Sequence, residues 1–412
     1  MRGRDQACRV GRGRSRRRVS SKRDFKRVVS GQHLGGTCAA MGPRRTGEAA
    51  VSERNPDANR LGLDYRAEAA RLGKPVVPII DAHIHVNGRE ASKVFKEVAT
   101  LYGVSRVVTQ TRLAEAHAVR DVLGSMARFV AIPDYGSADR ETAMTSGYLA
   151  DIETWHAEFG ARLMKLWCAP RLRDLAPGPG ASEFVPLDSP WRVKQAALAQ
   201  SLGMMIKVHI ADPDTWFQTK YADATRYGTK RSQYDPLERM LDRFAGPWIL
   251  AHMGGWPEDL GFLSDLLDRH PSVNLDTSAT KWIVREVSKH SRAEVVDFLT
   301  RYSGRILFGS DIVTTDEHLM AAKKAGVYSG ELASSPEQAF ELYASRYWAL
   351  RTLWETDYDG PSPIADPDLA MVDPARFGPT DAPTLRGKSL TPDLLRVLYS
   401  GAARRVFGNW LD

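Results

Sequence analysis

The chain of 412 residues has only three cysteines, Cys8, Cys38 and Cys168, and no Cys-x-x-Cys pair. That excludes a disulfide framework and fits a reducing, cytoplasmic setting. No apolar run reaches 18 residues, so no membrane span is expected. The N-terminal region lacks the apolar core of a secretory signal. No G-x-G-x-x-G turn follows the first apolar run, which counts against an open, doubly wound dinucleotide-binding sheet. There is no internal repeat beyond a strand-helix alternation.

Positive charge is scarce outside the N-terminus. Residues 1–60 hold 16 Lys and Arg against 5 Asp and Glu, whereas 61–412 hold 41 against 45. The net charge of +7 therefore belongs to an Arg-, Gly- and Ser-rich tail and says nothing about the folded part. Residues 1–60 are expected to be disordered. They read as a dispensable extension, with Met41 as one alternative start, rather than as a nucleic-acid-binding arm. Hydrophobic content of 43% and charged content of 26% are those of an ordinary globular protein.

From residue 61 apolar runs alternate with amphipathic segments. Strands are expected at 76–86, 104–109, 128–134, 162–168, 204–211, 248–253, 273–277 and 306–311. Helical patterns fall between them at 91–102, 113–127, 142–159, 191–202, 236–244, 258–270 and 285–302. Eight such units over 76–313 match an α/β fold of the (β/α)8 TIM-barrel type, which typically needs about 250 residues. The expected organisation is a disordered tail at 1–60, a barrel at 61–330 and a helical extension packed on it at 331–412. The extension holds a helix over 336–355, a Pro- and Asp-rich surface excursion over 357–386, and a final helix capped by Thr391 with Pro392 in its first position. Its aromatic helix could form a homo-dimer interface. The connection from Asp212 to Tyr234 is long for a barrel loop and carries Trp216, Phe217, Lys220, Tyr221 and Tyr227, as a lid or specificity loop would.

The polar residues of interest fall at the C-terminal ends of these strands, where barrel active sites lie. The first strand ends in Asp81-Ala82-His83-Ile84-His85. Residues two apart in a strand share a face, so His83 and His85 project together. Lys165 ends the fourth strand, His209 the fifth, His252 the sixth and Asp311 the eighth. His83, His85 and His209 offer neutral nitrogen ligands, and Asp311 offers an anionic oxygen that can also take a proton. His252 can act as an acid-base or polarise a carbonyl. Asp81 could orient one histidine. His117, His156, His270, His290 and His318 read as surface or packing histidines. Trp167, Trp216, Trp256 and Trp282 fall just past strand ends, where they either line a pocket or pack loops. Arg171 and Lys281 read as solvated loop charges.

The motifs DAHIH, KVHIADP, LAHMGG and LFGSD, over roughly 75–320, together resemble the amidohydrolase superfamily. They look most like its amidohydrolase-related branch, which includes aminocarboxymuconate-semialdehyde decarboxylase. The resemblance implies one divalent metal, with zinc ahead of manganese or iron, held by His83, His85, His209 and Asp311. It implies His252 and Asp311 as catalytic residues, and Lys165 is expected with them in the catalytic set, as a structural or substrate-anion lysine if it is not a metal ligand. In binuclear relatives a strand-four lysine is carboxylated and bridges two metals; Lys165 is placed for that, with His209 and His252 on the second ion, but a mononuclear site is the expectation. The implied activity is hydrolysis of an amide, ester or lactone in a small carboxylate-bearing or aromatic substrate. The alternative is non-oxidative decarboxylation of a small unsaturated or aromatic acid. The expected partner is that small molecule, with no role for membrane or nucleic acid.

Overall fold

A computed structural model describes residues 54–176, 178–322 and 329–412. Of the tail expected at 1–60, residues 1–53 lie outside the described residues. Among those described, eight short parallel strands run in order: β1 (Ile79–Ile84), β2 (Val104–Thr109), β3 (Ala127–Phe129), β4 (Leu163–Trp167), β5 (Met205–His209), β6 (Trp248–Leu250), β7 (Val273–Asp276) and β8 (Ile306–Leu307). A parallel bridge from Ala131 to Met164 joins β3 to β4. The ring closes where the Ala82 N–H donates to Phe308 O and the Asp311 N–H to His83 O, each at 2.8 Å, and where His85 bridges Val313. This is the expected (β/α)8 barrel.

Side chains alternate across its wall. Ile80, Ala82, Val108, Val130, Ile132, Leu163, Ile249 and Leu307 form one buried cluster inside the ring, and the C-terminal Ala402, Ala403, Phe407 and Leu411 close it from below. The other face of each strand, with Ile206, Val208, Trp248, Leu250, Val273 and Leu275, packs into the larger core beneath the outer helices. Among the described residues no helix is long and apolar enough to cross a membrane.

The sequence expectations need five corrections. The second strand spans 104–109 as expected, but the other seven are shorter than the apolar runs that mark them. The expected helix 285–302 is two, Thr280–Val287 and Arg292–Arg301. The second starts at Ser291, whose side chain and Glu294 form a reciprocal capping box. Residues 55–60 are not tail: Asn55 and Asn59 are buried, donating to the Glu341 carboxylate at 2.7 and 2.6 Å. The stretch 357–386 is not merely a surface excursion. It forms an antiparallel ribbon, β9 (Asp359–Pro361) with β10 (Thr384–Arg386), and a short helix Pro367–Val372. Lastly, the helix Pro336–Glu355 is buried from Ala339 to Trp354, so its aromatic side chains pack within this chain.

Asp81 shows how that helix serves the barrel. Its carboxylate accepts the Tyr347 hydroxyl at 2.9 Å, the Ser310 hydroxyl at 2.5 Å and the backbone N–H groups of Ser310 and His83 at 3.1 Å. It therefore ties β1, the turn after β8 and the C-terminal helix together. It holds the backbone of His83, not an imidazole ring.

Candidate active site

His83 and His85 leave β1 toward the mouth. His83 is fully buried and His85 is half-buried. At the seam where the ring closes, the chain after β8 places Asp311 beside β1, with its Oδ1 3.3 Å from His85 Nε2 and 3.5 Å from His83 Nε2. One ligand atom from each of these three residues lies within 4.8 Å of the others. Burial raises the Asp311 carboxyl pKa, but His252, the His85 hydrogen bond and His83 outweigh it, so the group stays well below the usual carboxylate range and remains ionised. Burial, with Lys165 and Lys207 nearby, holds His83 well below the ordinary imidazole range.

Asp276, which ends β7, organises this centre and was not singled out from the sequence. It is fully buried, and its Oδ2 lies 2.8 Å from His83 Nδ1 and 3.2 Å from Lys207 Nζ. Its Oδ1 accepts the backbone N–H groups of His252 at 2.9 Å and Ser278 at 3.2 Å, and the Ser278 hydroxyl as well. A carboxylate can only accept. The network therefore assigns the proton of His83 to Nδ1 and turns the Nε2 lone pair into the mouth, the form that binds a metal. The Ser278 hydroxyl gives its proton to Asp276, so its oxygen accepts from His252 Nδ1 at 2.8 Å. That leaves His252 Nε2 as a free lone pair. Burial and His209 push the pKa of His252 down to about 3, so it is a neutral base at neutral pH. A signal was available: Asn274, Asp276 and Ser278 repeat with the same two-residue period as the two histidines.

Two positions depart from expectation. His252 is not on β6 but beyond it, in a left-handed turn with φ 58°, followed by Met253 at φ 50°. Gly255 completes the turn; a Cβ there would lie 2.2 Å from Ala211 O, so only glycine fits. Ala279 at φ 66° and Asp311 at φ 60° are also left-handed. Backbone in this region costs on the order of 1–3 kcal/mol per residue and collects at functional sites. Here it collects after β6, β7 and β8. His209 is the second departure. Its ring meets His252 edge-on at 4.5 Å, but its Nε2 bonds Asp212 Oδ1 at 2.8 Å, and it stands outside the compact His83, His85, Asp311 group. Asp212 is in turn gripped by the Tyr221 hydroxyl at 2.6 Å, which links the long loop to the site.

Lys165 is buried, with Nζ 3.2 Å from His83 Nε2. It pairs in register with Lys207 on β5. Burial and that neighbouring ammonium push its pKa down to about 7, partly offset by Asp311 and Asp276. Trp282 lies edge-on to His252 at 5.6 Å and to Trp216 at 5.5 Å. Both indole N–H groups donate to one carboxylate oxygen of Asp368, at 2.8 Å from Trp216 and 3.2 Å from Trp282. Arg285 anchors that carboxylate from behind, together with Asp366. Trp256 packs on Tyr234 and Phe262, and Trp167 on Tyr135.

The donor set fits a divalent cation: two neutral imidazoles, one turned by a buried carboxylate, face an ionised aspartate. A parallel barrel with such a cluster at the C-terminal mouth of its strands defines a metal-dependent (β/α)8 enzyme. A family model described as amidohydrolase matches residues 80–408. The chain belongs to the amidohydrolase family and is an enzyme of that superfamily, whose members are metal-dependent hydrolases and decarboxylases. Among solved structures, an amidohydrolase from Burkholderia multivorans with bound zinc is 14% identical with a TM-score of 0.40, covering 80% of this chain and 98% of that one. A second crystal form, with bound HEPES, is 13% identical with the same score and coverage. No curated protein sequence matches the chain.

Proposed function

We propose that this enzyme hydrolyses a C–N or C–O bond, in an amide, ester or lactone, of a small carboxylate-bearing or aromatic substrate. The observation that carries the reading is Asp311: an ionised carboxylate in a left-handed backbone turn, with its Oδ1 against the Nε2 atoms of two neutral histidines. His83, His85 and Asp311 would hold the cation, with His209 completing the set by turning from Asp212. A bound divalent ion, zinc by preference for nitrogen and oxygen donors, supplies Lewis acidity toward the substrate carbonyl.

The protein's own groups do the rest. The free Asp311 oxygen takes the proton of the attacking water. His252 Nε2, a lone pair aimed by Ser278 and Asp276, accepts a hydrogen bond from that water, and the proton taken up by Asp311 passes on to the leaving atom. Lys165 is a substrate-anion or orienting group. Its Nζ, 3.2 Å from the His83 Nε2 lone pair as an amine, favours one metal over a carboxylated-lysine pair. Trp216 and Trp282 form an apolar wall suited to a ring or an unsaturated chain.

The test is a substrate screen on metal-reconstituted protein that follows two products in parallel. Released acid, alcohol or amine with no carbon dioxide is the expected result. Stoichiometric carbon dioxide from an unsaturated or aromatic acid would overturn hydrolysis and make the enzyme a decarboxylase.

A further inference from the structure

Gln110 is 1% exposed, and neither its Nε2 nor its Oε1 has a hydrogen-bond partner. A buried carboxamide is normally paired, because leaving it unpaired destabilises the fold. Two other buried glutamines follow that rule. Gln195 donates to Met144 O at 2.8 Å and accepts from Arg192 at 3.1 Å, and Gln233 donates to Tyr227 O at 2.8 Å.

The exception is at the barrel mouth. Gln110 directly follows β2, and its backbone N–H donates to Ile84 O at 2.8 Å. Its neighbours face away from the ring interior: Thr109 Oγ1 accepts from the Val86 N–H at 2.9 Å, and Thr111 Oγ1 donates to Val86 O at 2.7 Å. Val108, two residues earlier, is in the interior cluster. The period of two therefore puts the Gln110 side chain on the interior face, one layer above Val108. Ile84 is opposite Thr109 in the ladder, so Gln110 is opposite His85, about 5 Å away at the spacing of neighbouring strands.

We propose that Gln110 is a substrate-binding residue that grips a hydroxyl on the substrate carbon next to the reacting carbonyl. A primary amide offers a donor and an acceptor side by side, and a hydroxyl uses both: its O–H donates to Oε1 while Nε2 donates to its oxygen. A carboxylate would use only Nε2 and would meet Oε1 with like charge. The substrate class is thus a hydroxylated acyl compound, such as the amide, ester or lactone of a hydroxy acid. This rests on the reading of the mouth as the substrate site.

The experiment uses full-length, metal-reconstituted protein. Thermal unfolding without ligand compares wild type, Gln110→Met and Gln195→Met. Relief of an unpaired amide should make Gln110→Met melt above wild type by about 1–3 °C, while Gln195→Met, which breaks real bonds, melts below it. Glycolate and acetate, identical but for one hydroxyl, are then compared as probes at equal concentration. Wild type should favour glycolate by roughly tenfold in apparent affinity, the worth of one well-made hydrogen bond, and Gln110→Met should lose that preference. If Gln110→Met melts below wild type, the amide is a structural group bonded to a resident water and the proposal fails. If wild type treats the two acids alike, or binds neither, the hydroxyl assignment fails. The melting comparison repeated on chelator-stripped protein keeps this result separate from any failure of the metal reading.

Discussion

Replacing Asp276 by Asn keeps the volume of a fully buried side chain and removes its charge. Two costs follow. Lys207 is itself fully buried, and Asp276 Oδ2 is 3.2 Å from its ammonium; without that charge Lys207 keeps the Ala82 carbonyl at 2.6 Å. Removing one partner of a buried pair costs about 3–5 kcal/mol, well above the roughly 1 kcal/mol of an ordinary hydrogen bond. The second cost is chemical. The amide oxygen is drawn to the N–H groups of His252 and Ser278, so the NH2 faces His83 Nδ1. Donor then faces donor, and His83 moves its proton to Nε2, where it blocks metal binding. Loss of such a supporting carboxylate lowers metal affinity by about 10–100-fold. Guanidinium unfolding reads the first cost and competitive metal titration the second. Adding Lys207→Met to Asp276→Asn should recover stability but not metal affinity, because only the stranded charge is relieved. An Asp276→Asn protein within about 1 kcal/mol of wild type and with unchanged metal affinity would refute the reasoning.

Other outcomes follow from the same contacts. Asp368→Ala strands the indole N–H groups of Trp216 and Trp282 and one Arg285 contact; stability should fall by about 1–3 kcal/mol and acrylamide quenching of tryptophan fluorescence should rise, and unchanged quenching would contradict a wall held by that carboxylate. Asp151 is half-buried, and burial with the charge of Asp134 pushes its pKa up to about 6. The folded state thus holds that proton to higher pH than the unfolded chain, so this group's contribution to stability falls as pH rises from about 4 to 6. Asp151→Asn should melt above wild type at pH 7 and lose that advantage at pH 4; a gain independent of pH would refute the titration.

The parts of this enzyme legible in the sequence were those written by local periodicity. His83 and His85 share a face because strand side chains alternate, and the helix Pro336–Glu355 was marked by its Pro start and its helically spaced aromatics. What could not be read depends on contacts between distant segments. Nothing near Leu250 says that β6 stops there; the turn that swings His252 inward is fixed by Asp276, 24 residues away. Asn55 looked like tail because its partner, Glu341, is 286 residues on. Asp368 looked like part of a polar excursion because Arg285, which pairs with it, belongs to another unit of the barrel. Asp276 is the instructive miss, since its period was visible but its apolar neighbours gave the segment the look of a plain strand.

The central claim is that His83, His85 and Asp311 hold one catalytic cation. Elemental analysis of chelator-stripped, zinc-reconstituted protein tests it most directly, on wild type, His85→Ala, Asp311→Ala and His209→Ala. About one equivalent is expected in wild type, almost none in the first two variants, and weakened retention in His209→Ala. About two equivalents would make Lys165 a carboxylated bridge, and no bound metal in wild type after reconstitution would contradict the account outright.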